Sequence, residues 1–370
     1  MTAQQLNFTN MRTTLRRNLY NKLDDLMKAT GLGDIVSPGD KVAIKLHFGE
    51  EGNTSFIRPI FVRRVVEAVK ALGGHPFITD TNTLYVGSRT DAVNHLTTAI
   101  THGFDYAVVG APLIIADGLR GSSGIEVDIA GEHYAKVEIA SGIAQADVII
   151  ALTHFKGHEI SGFGGALKNL GMGCSTRAGK LDMHSGISPK VKAKLCVGCA
   201  QCLRWCAHGA IAVNDKKAKI DKELCAGCGE CILSCPEHAI MIQWATGPRE
   251  MQEKMVEFAM GAVKGKKQKS LFISFITQVS PSCDCASNND TPVVADIGIL
   301  SGRDPVAMDQ CAIDMVNNAQ GLSGSALKSG HEPGGDKFGG VHPNADWRIQ
   351  LDHAEKLGFG SRVYELTEIE

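Results

Sequence analysis

No stretch of this sequence approaches the run of about 18 uncharged apolar residues that a membrane span requires. Its start, MTAQQLNFTNMRTTLRRNLY, has no apolar segment after its basic residues, so it does not read as an export signal. Charge of one sign is not in excess either. Lys and Arg number 38 against 40 Asp and Glu, a net charge of -2, which leaves no polyanion-binding surface and argues against nucleic acid as a partner. These absences leave a soluble, unexported chain, expected in the cytoplasm and away from membranes.

The chain has 370 residues, 44% of them hydrophobic, enough for two domains or for one large core carrying an insertion. Residues 41–47 read as a strand after the turn signal Ser37-Pro38-Gly39-Asp40. A helix follows, with Pro59 in its first turn, one apolar face formed by Phe61, Val62, Val65, Val66, Val69 and Leu72, and a stop at Gly73-Gly74. Further strands are expected at 76–80, 146–152, 271–275, 293–300 and 362–366, and helices at 91–102, 249–264 and 347–357. Another helix is opened by Asp304 as N-cap and Pro305 at its first position. Residues 125–139 alternate around Gly131 as a hairpin. The fully apolar 146–152 segment is of the kind buried on both sheet faces. Together these predict an α/β fold, a mixed or parallel sheet flanked by helices. The composition changes at 190–243 to dense Cys and Gly. The expected division is therefore an α/β domain at 1–189 and 244–370, interrupted by a small α+β insertion at 190–243.

Eight of the twelve cysteines lie in that insertion. Cys196, Cys199, Cys202 and Cys206 have the spacing C-x2-C-x2-C-x3-C, and Cys225, Cys228, Cys231 and Cys235 repeat it, followed by Pro236. In this pattern three close thiolates hold one [4Fe-4S] cluster and the fourth reaches the other cluster. Cys196, Cys199, Cys202 and Cys235 are thus assigned to one cluster, and Cys225, Cys228, Cys231 and Cys206 to the second. Zinc also uses C-x2-C pairs, but a duplicated four-cysteine unit speaks for iron and sulfide. The module resembles the two-cluster bacterial ferredoxins, with Ala207 standing where the second repeat has Pro236.

A Gly-rich segment precedes the module. His154, Lys156 and His158 leave the apolar strand, and Gly162, Gly164, Gly165 and Lys168 follow at once. Loops at such strand ends bind ligands in α/β proteins, and glycine amides with nearby Lys and His suit a carboxylate, a phosphate or an oxyanion. Lys45 and Asp80, at predicted strand ends, are candidates for the same cleft, and Arg89, His95 and Asp117 are placed near it.

The run HFKGHEISGFGGALKNLGMGC from His154 to Cys174, with Thr79-Asp80-Thr81-Asn82-Thr83-Leu84-Tyr85, Asp117-Gly118, Cys283-Asp284-Cys285 and Asp296-Ile297-Gly298-Ile299, resembles the iron-sulfur centre proteins of the "domain of unknown function 362" family. Many such proteins hold a ferredoxin-like module inside the α/β domain, and the family carries no settled activity. His158 and Lys168, around Gly162 to Gly165, are also similar to the substrate domain of the nickel-pincer lactate racemase family. That similarity implies Lys168 nearest a bound cofactor or substrate, with His154 or His158 as acid or base.

Cys283 and Cys285 lie in a Ser/Pro/Asn/Asp-rich loop. Two thiols one residue apart are poorly placed to bridge each other, but both can reach one metal or one cluster edge, and with Cys174 and His184 they would make a candidate third metal or cluster site. A redox-active thiol role is the alternative there. Cys311, on the apolar stripe of its helix, reads as packing.

The preferred functional reading is an iron-sulfur redox protein whose clusters relay electrons between a ferredoxin-like or other redox protein and a cleft site that binds an anionic small molecule. His154, His158, Lys168, Lys45 and Asp80 would carry the chemistry. No G-x-G-x-x-G fingerprint follows the first strand, hence the choice of donor. Two alternatives stay open: a non-enzymatic carrier or cluster-assembly protein, and an isomerase or acidic-ligand-binding protein with structural clusters. Whether the chain is an enzyme, an oxidoreductase in that case, is left open by the sequence.

Overall fold

The computed structural model describes residues 3–185 and 188–369; residues 1, 2, 186, 187 and 370, which the expected domain ranges include, lie outside it. Eight strands form the central sheet: β1 Gln4–Asn10, β2 Lys41–Lys45, β3 His75–Asp80, β4 Leu113–Ile115, β5 Val148–His154, β6 Ser270–Ile276, β7 Gly298–Gly302 and β8 Tyr364–Glu368. Their order is β8-β1-β7-β6-β5-β2-β3-β4. Only β7 runs against the rest, pairing antiparallel with both β1 and β6.

The strand β5 shows why the sheet is a middle layer. Every residue of VIIALTH is buried. Val148, Ile150 and Leu152 join one core with Leu23 and Leu26 of the helix Leu19–Ala29 and the Phe61, Val62, Val65, Val66 and Val69 face of the helix Pro59–Ala71. Ile149 and Ala151 join the opposite core, with the helices Pro248–Ala262, Pro305–Asn318 and Arg348–Lys356. Alternate residues of one strand therefore face two helical layers. The α/β sheet flanked by helices is the architecture that the alternation of elements predicts.

Several elements differ from the sequence expectations; β4 and the helix Leu19–Ala29 were not among those expected, and two further cases are informative. The segment 293–297 is not a strand of the sheet: Val293 bonds Val279 and Leu322, Val294 makes an isolated bridge with Gly321, the Gln278 amide donates to the Asp296 carboxylate (2.7 Å), and the strand begins at Gly298. The strand β1 was not predicted, since QQLNFTN reads as polar; Leu6 and Phe8 nonetheless turn to the same core.

Between β5 and β6 lies the cysteine-rich stretch. Lys190–Val191 pairs antiparallel with Ile240–Met241, and Ile211–Asn214 with Lys217–Ile220. A third core of its own forms from Cys196, Cys202, Cys231, Cys235, Ile211, Ala218, Ile232, Ala239 and Ile240 with Leu84 and Leu181. The hairpin Gly124–Asp128 with Lys136–Ala140 forms as expected.

Candidate functional site: a cationic cleft beside two rings of thiols

The parallel strands β2, β3 and β5 all end at one edge, and the segments that follow them enclose a cleft of about 380 Å³. Lys45 closes β2 and Asp80 closes β3, so parallel pairing delivers both to the same end of the sheet. Their ion pair (3.0 Å) is almost fully buried. Lys45 also donates to Asn169 Oδ1 (2.7 Å), and Asn169 in turn donates to Leu152 O and Thr153 Oγ1, which ties the helix Ala166–Gly171 to β5. Burial works against ionisation of Asp80, yet Lys45 and the other groups around it, Arg89 among them, hold its carboxyl below the usual range.

Arg89 stands beside Glu50 (3.0 Å) and donates to the Tyr85 hydroxyl (2.8 Å). Lys180 donates to Thr81 Oγ1 (2.6 Å) and Ser175 O (2.7 Å), and among the described residues it has no carboxylate partner within ion-pair distance. Burial brings its ammonium down to about 8, with Asp117 opposing. The lining thus carries Lys45, Arg89, Lys156, Lys168 and Lys180 against the acids Asp80 and Glu159.

Of the residues singled out from sequence, Lys45, Asp80, His158, Gly164, Gly165 and Lys168 line this cleft, with Arg89 and His184. Others lie elsewhere. His154 is turned away; its Nδ1 faces Asp284 (2.9 Å) and its Nε2 faces the carbonyls of Thr277 and Gln278 (2.9 and 3.1 Å), so both nitrogens are engaged with acceptors. His95 and Asp117 are buried behind the lining. Gly162, at φ 75°, packs where an added Cβ would lie 2.6 Å from that of Trp347.

Two amides that follow the glycine-rich loop are not free for an anion. The N–H groups of Ala166 and Leu167 already donate to the buried Asp309 carboxylate (2.6 and 2.9 Å), which occupies the place an anion would take. Sequence reading also missed Lys180, Asn169, Tyr85 and Trp244. The signal for Lys180 was a lysine inside the otherwise buried face of the helix Arg177–His184.

His158, Cys283 and Cys285 bring ligand-capable atoms within 4.8 Å of one another. Lys168 Nζ lies 3.2 Å from Cys283 Sγ, and Cys285 faces the cleft. Cys174 is not in this group. It is buried in the sheet core, and burial pushes its thiol up to about 12, with Lys45 opposing.

The eight remaining cysteines outside Cys311 partition into two sets. Cys196, Cys199, Cys202 and Cys235 line one small cavity; Cys206, Cys225, Cys228 and Cys231 line a second. Each set takes three thiols from one repeat and the fourth from the other. Backbone N–H groups donate to sulfur at Cys196 (from Ala218, 3.3 Å), Cys206 (from Ala210, 3.3 Å) and Cys235 (from Ala239, 3.2 Å). Leu84 lines the cleft and also packs in the core around these thiols, so the two regions adjoin.

The sequence profile described as "Domain of unknown function (DUF362)" matches residues 42–314, which hold the cleft, both thiol sets and all strands from β2 to β7. The chain belongs to this family. No curated protein matches the sequence. Among solved structures it is similar to the lactate racemase apoprotein from Thermoanaerobacterium thermosaccharolyticum, at 12% identity and a TM-score of 0.36, over 74% of this chain and 51% of that one. A Thermotoga maritima protein solved as a structural-genomics target shows 10% identity and a TM-score of 0.34, over 76% and 54%. The DUF362 chain therefore spans about half the length of each. Likeness this loose transfers no chemistry.

Among the described residues no helix is long and apolar enough to cross a membrane.

Proposed function

We propose that this DUF362 protein is an iron-sulfur redox protein in which two [4Fe-4S] clusters relay electrons to or from a small anionic molecule held in the cleft. The observation that carries this reading is the partition of eight thiols into two crossed sets of four around two cavities. Three close thiolates and one from the distant repeat are the donor set that such a cluster takes. Backbone amides donate to the sulfurs of Cys196, Cys206 and Cys235. Burial raises the thiols of Cys202, Cys228 and Cys231, the last to about 12, so a cation among them is what would draw their protons off.

When bound, each cluster supplies uptake and release of one electron. The electrons would come from a ferredoxin-like or other redox protein. In the cleft, Lys168, Lys180, Lys45 and Arg89 attract and orient an anion. His158 Nδ1 accepts from the amides of Ile160 and Ser161 (3.2 Å each) and faces the Ser161 hydroxyl (3.0 Å), so the neutral ring carries its proton on Nε2 and is a hydrogen-bond donor. Burial, and then Lys168, keep that ring neutral, well below the usual imidazole range.

Anaerobic metal and sulfide analysis with electron paramagnetic resonance tests the reading. About eight iron and about eight sulfide per chain are expected from two such clusters. Zinc without sulfide would overturn it. Thermal shifts with inorganic phosphate and simple carboxylates, lost in Lys180→Met, test the cleft separately.

A further inference from the structure

A third metal at Cys283 and Cys285 meets two obstacles. The Nδ1 of His158 is taken by its own loop, and Nε2 carries the proton in the neutral ring, so neither nitrogen offers a free lone pair. The Lys168 ammonium stands 3.2 Å from Cys283 Sγ, where it repels a second cation. What those groups do suit is sulfur chemistry.

We propose that Cys283 and Cys285 are a redox-active dithiol that reduces a small anionic disulfide bound in the cleft. The two residues sit in a turn closed by Ala286 N–H to Cys283 O (3.0 Å), which shortens the path between their α-carbons relative to an extended strand. Asp284 between them points inward and is pinned by His154 (2.9 Å), Lys156 (3.1 Å) and Ser55 Oγ (3.3 Å). With the turn fixed, both sulfurs lie on one side, within 4.8 Å of each other. Thiols one residue apart are poorly placed to bridge in an extended segment; the turn closed by Ala286 N–H brings these two sulfurs to within 4.8 Å.

The pair is asymmetric. Cys283 is buried and accepts from Lys168 Nζ and, more weakly, from the Cys285 amide (3.5 Å); Cys285 is the member that lines the cleft. The Cys285 thiol and the Lys168 and Lys156 ammonium groups hold Cys283 as the thiolate, against the pull of burial, and that thiolate keeps the proton on Cys285. One proton is thus shared by two sulfurs.

The chemistry balances as follows. The shared proton crosses to Cys283, and the Cys285 thiolate attacks one sulfur of the bound disulfide. The substrate S–S bond breaks and a mixed disulfide forms on Cys285. Cys283 then gives up its proton and attacks the Cys285 sulfur, which forms the 283–285 disulfide and expels the second substrate thiolate. The two released thiolates take up one proton from the pair and one from water. Two electrons have passed from the dithiol to the substrate. Lys180, without a carboxylate partner within ion-pair distance among the described residues, favours a substrate carrying a carboxylate. Return to the singly protonated pair takes two electrons and one proton, one electron from each cluster; this half rests on the two-cluster reading, and the exchange half does not.

The test uses the full chain, prepared anaerobically, with oxidised glutathione as probe and differential alkylation read by peptide mass spectrometry. Expected is an internal 283–285 disulfide, reversed by dithiothreitol. Cys283→Ser should trap glutathione on Cys285, and Cys285→Ser should give no adduct at comparable rate. Lys168→Met, with circular dichroism unchanged, should slow exchange at neutral pH by about tenfold or more and move its pH profile upward, as expected when a thiolate loses its cation. The proposal is overturned if Cys285 never carries glutathione in the Cys283→Ser protein, or if Lys168→Met leaves both rate and pH profile unmoved. It is equally overturned if a stoichiometric metal is bound and is lost in the Cys283→Ser, Cys285→Ser double variant. Because the readout is sulfur chemistry at one peptide, a chain without iron would still pass or fail it.

Discussion

Asp80 illustrates how much a single residue in this cleft holds in place. Among the described residues it is the one carboxylate within ion-pair distance of Lys45, and both are nearly inaccessible to water. Removing one partner of a buried pair leaves an uncompensated charge, at a cost on the order of 3–5 kcal/mol. Asp80→Ala should lose that much stability in denaturant titration, partly relieved by Asn169, whereas the double change Asp80→Ala, Lys45→Met should recover most of it. A loss under about 1 kcal/mol would show that the pair is not buried as described. Asp309 gives a pH signature. Burial pushes its carboxyl up to about 7, against the amide bonds from Leu167 and Ala166. Its folded value is above its ordinary one of 3.8, so its contribution to stability is fully present below that value and is lost as pH rises through about 7. Asp309→Asn should therefore flatten the fall in melting temperature between about pH 5 and about pH 8; curves parallel to the parent would refute this. At this scale the sequence was legible where chemistry and strand position agreed, as at Lys45, Asp80 and Lys168. It misled at His154 and Gly162, because nothing local announces that Asp284 or Trp347 will arrive from distant segments to occupy them.

For single elements, the helix Ala166–Gly171 is the informative case. It is too short to be stable alone, and it persists because Asp309 caps its first amides from another helix and Asn169 ties it to β5. The glycines before it then have distinct duties. A Cβ at Gly165 would lie 2.2 Å from Asp309 Oδ1, whereas one at Gly164 would meet only the flexible Lys168 and Lys156 chains, at 3.3 and 3.6 Å. Gly165→Ala should thus cost about 1–3 kcal/mol through overpacking, and Gly164→Ala clearly less; calorimetry of the two side by side distinguishes this packing role from ligand binding. Similar destabilisation by both would undo the assignment. Helices and buried strands with a clear period, such as Pro59–Ala71 and β5, were readable in advance. The loop at 293–297 was not, since its backbone pairs with Val279, Leu322 and Gly321, which nothing local announces.

Across the whole molecule, the cysteine-rich module and the sheet are held by different means. The sheet lies between two apolar cores, but four of the residues in the module's small core are the cysteines Cys196, Cys202, Cys231 and Cys235. A core that small depends on whatever its thiols bind. Stripping metal with a chelator should therefore abolish hydrogen-exchange protection over residues 190–243 while β5 and β6 keep theirs. Equal loss in both, or in neither, would contradict this division. The composition shift marked the module in the sequence. The strand order did not show there, because β1 enters between β7 and β8 through pairings that join the two ends of the chain.

The adjacency of β5 and β6 has a consequence for the chain as it is made. These neighbours in the sheet flank the module in sequence, so a nascent chain completes one wall of the cleft, then all eight ligand-spaced cysteines, and only afterwards the other wall with Cys283 and Cys285. Domains emerging from the ribosome fold in that order. On the proposed two-cluster reading, cofactor loading can then begin before β6 pairs with β5 and before Cys285 joins the cleft lining.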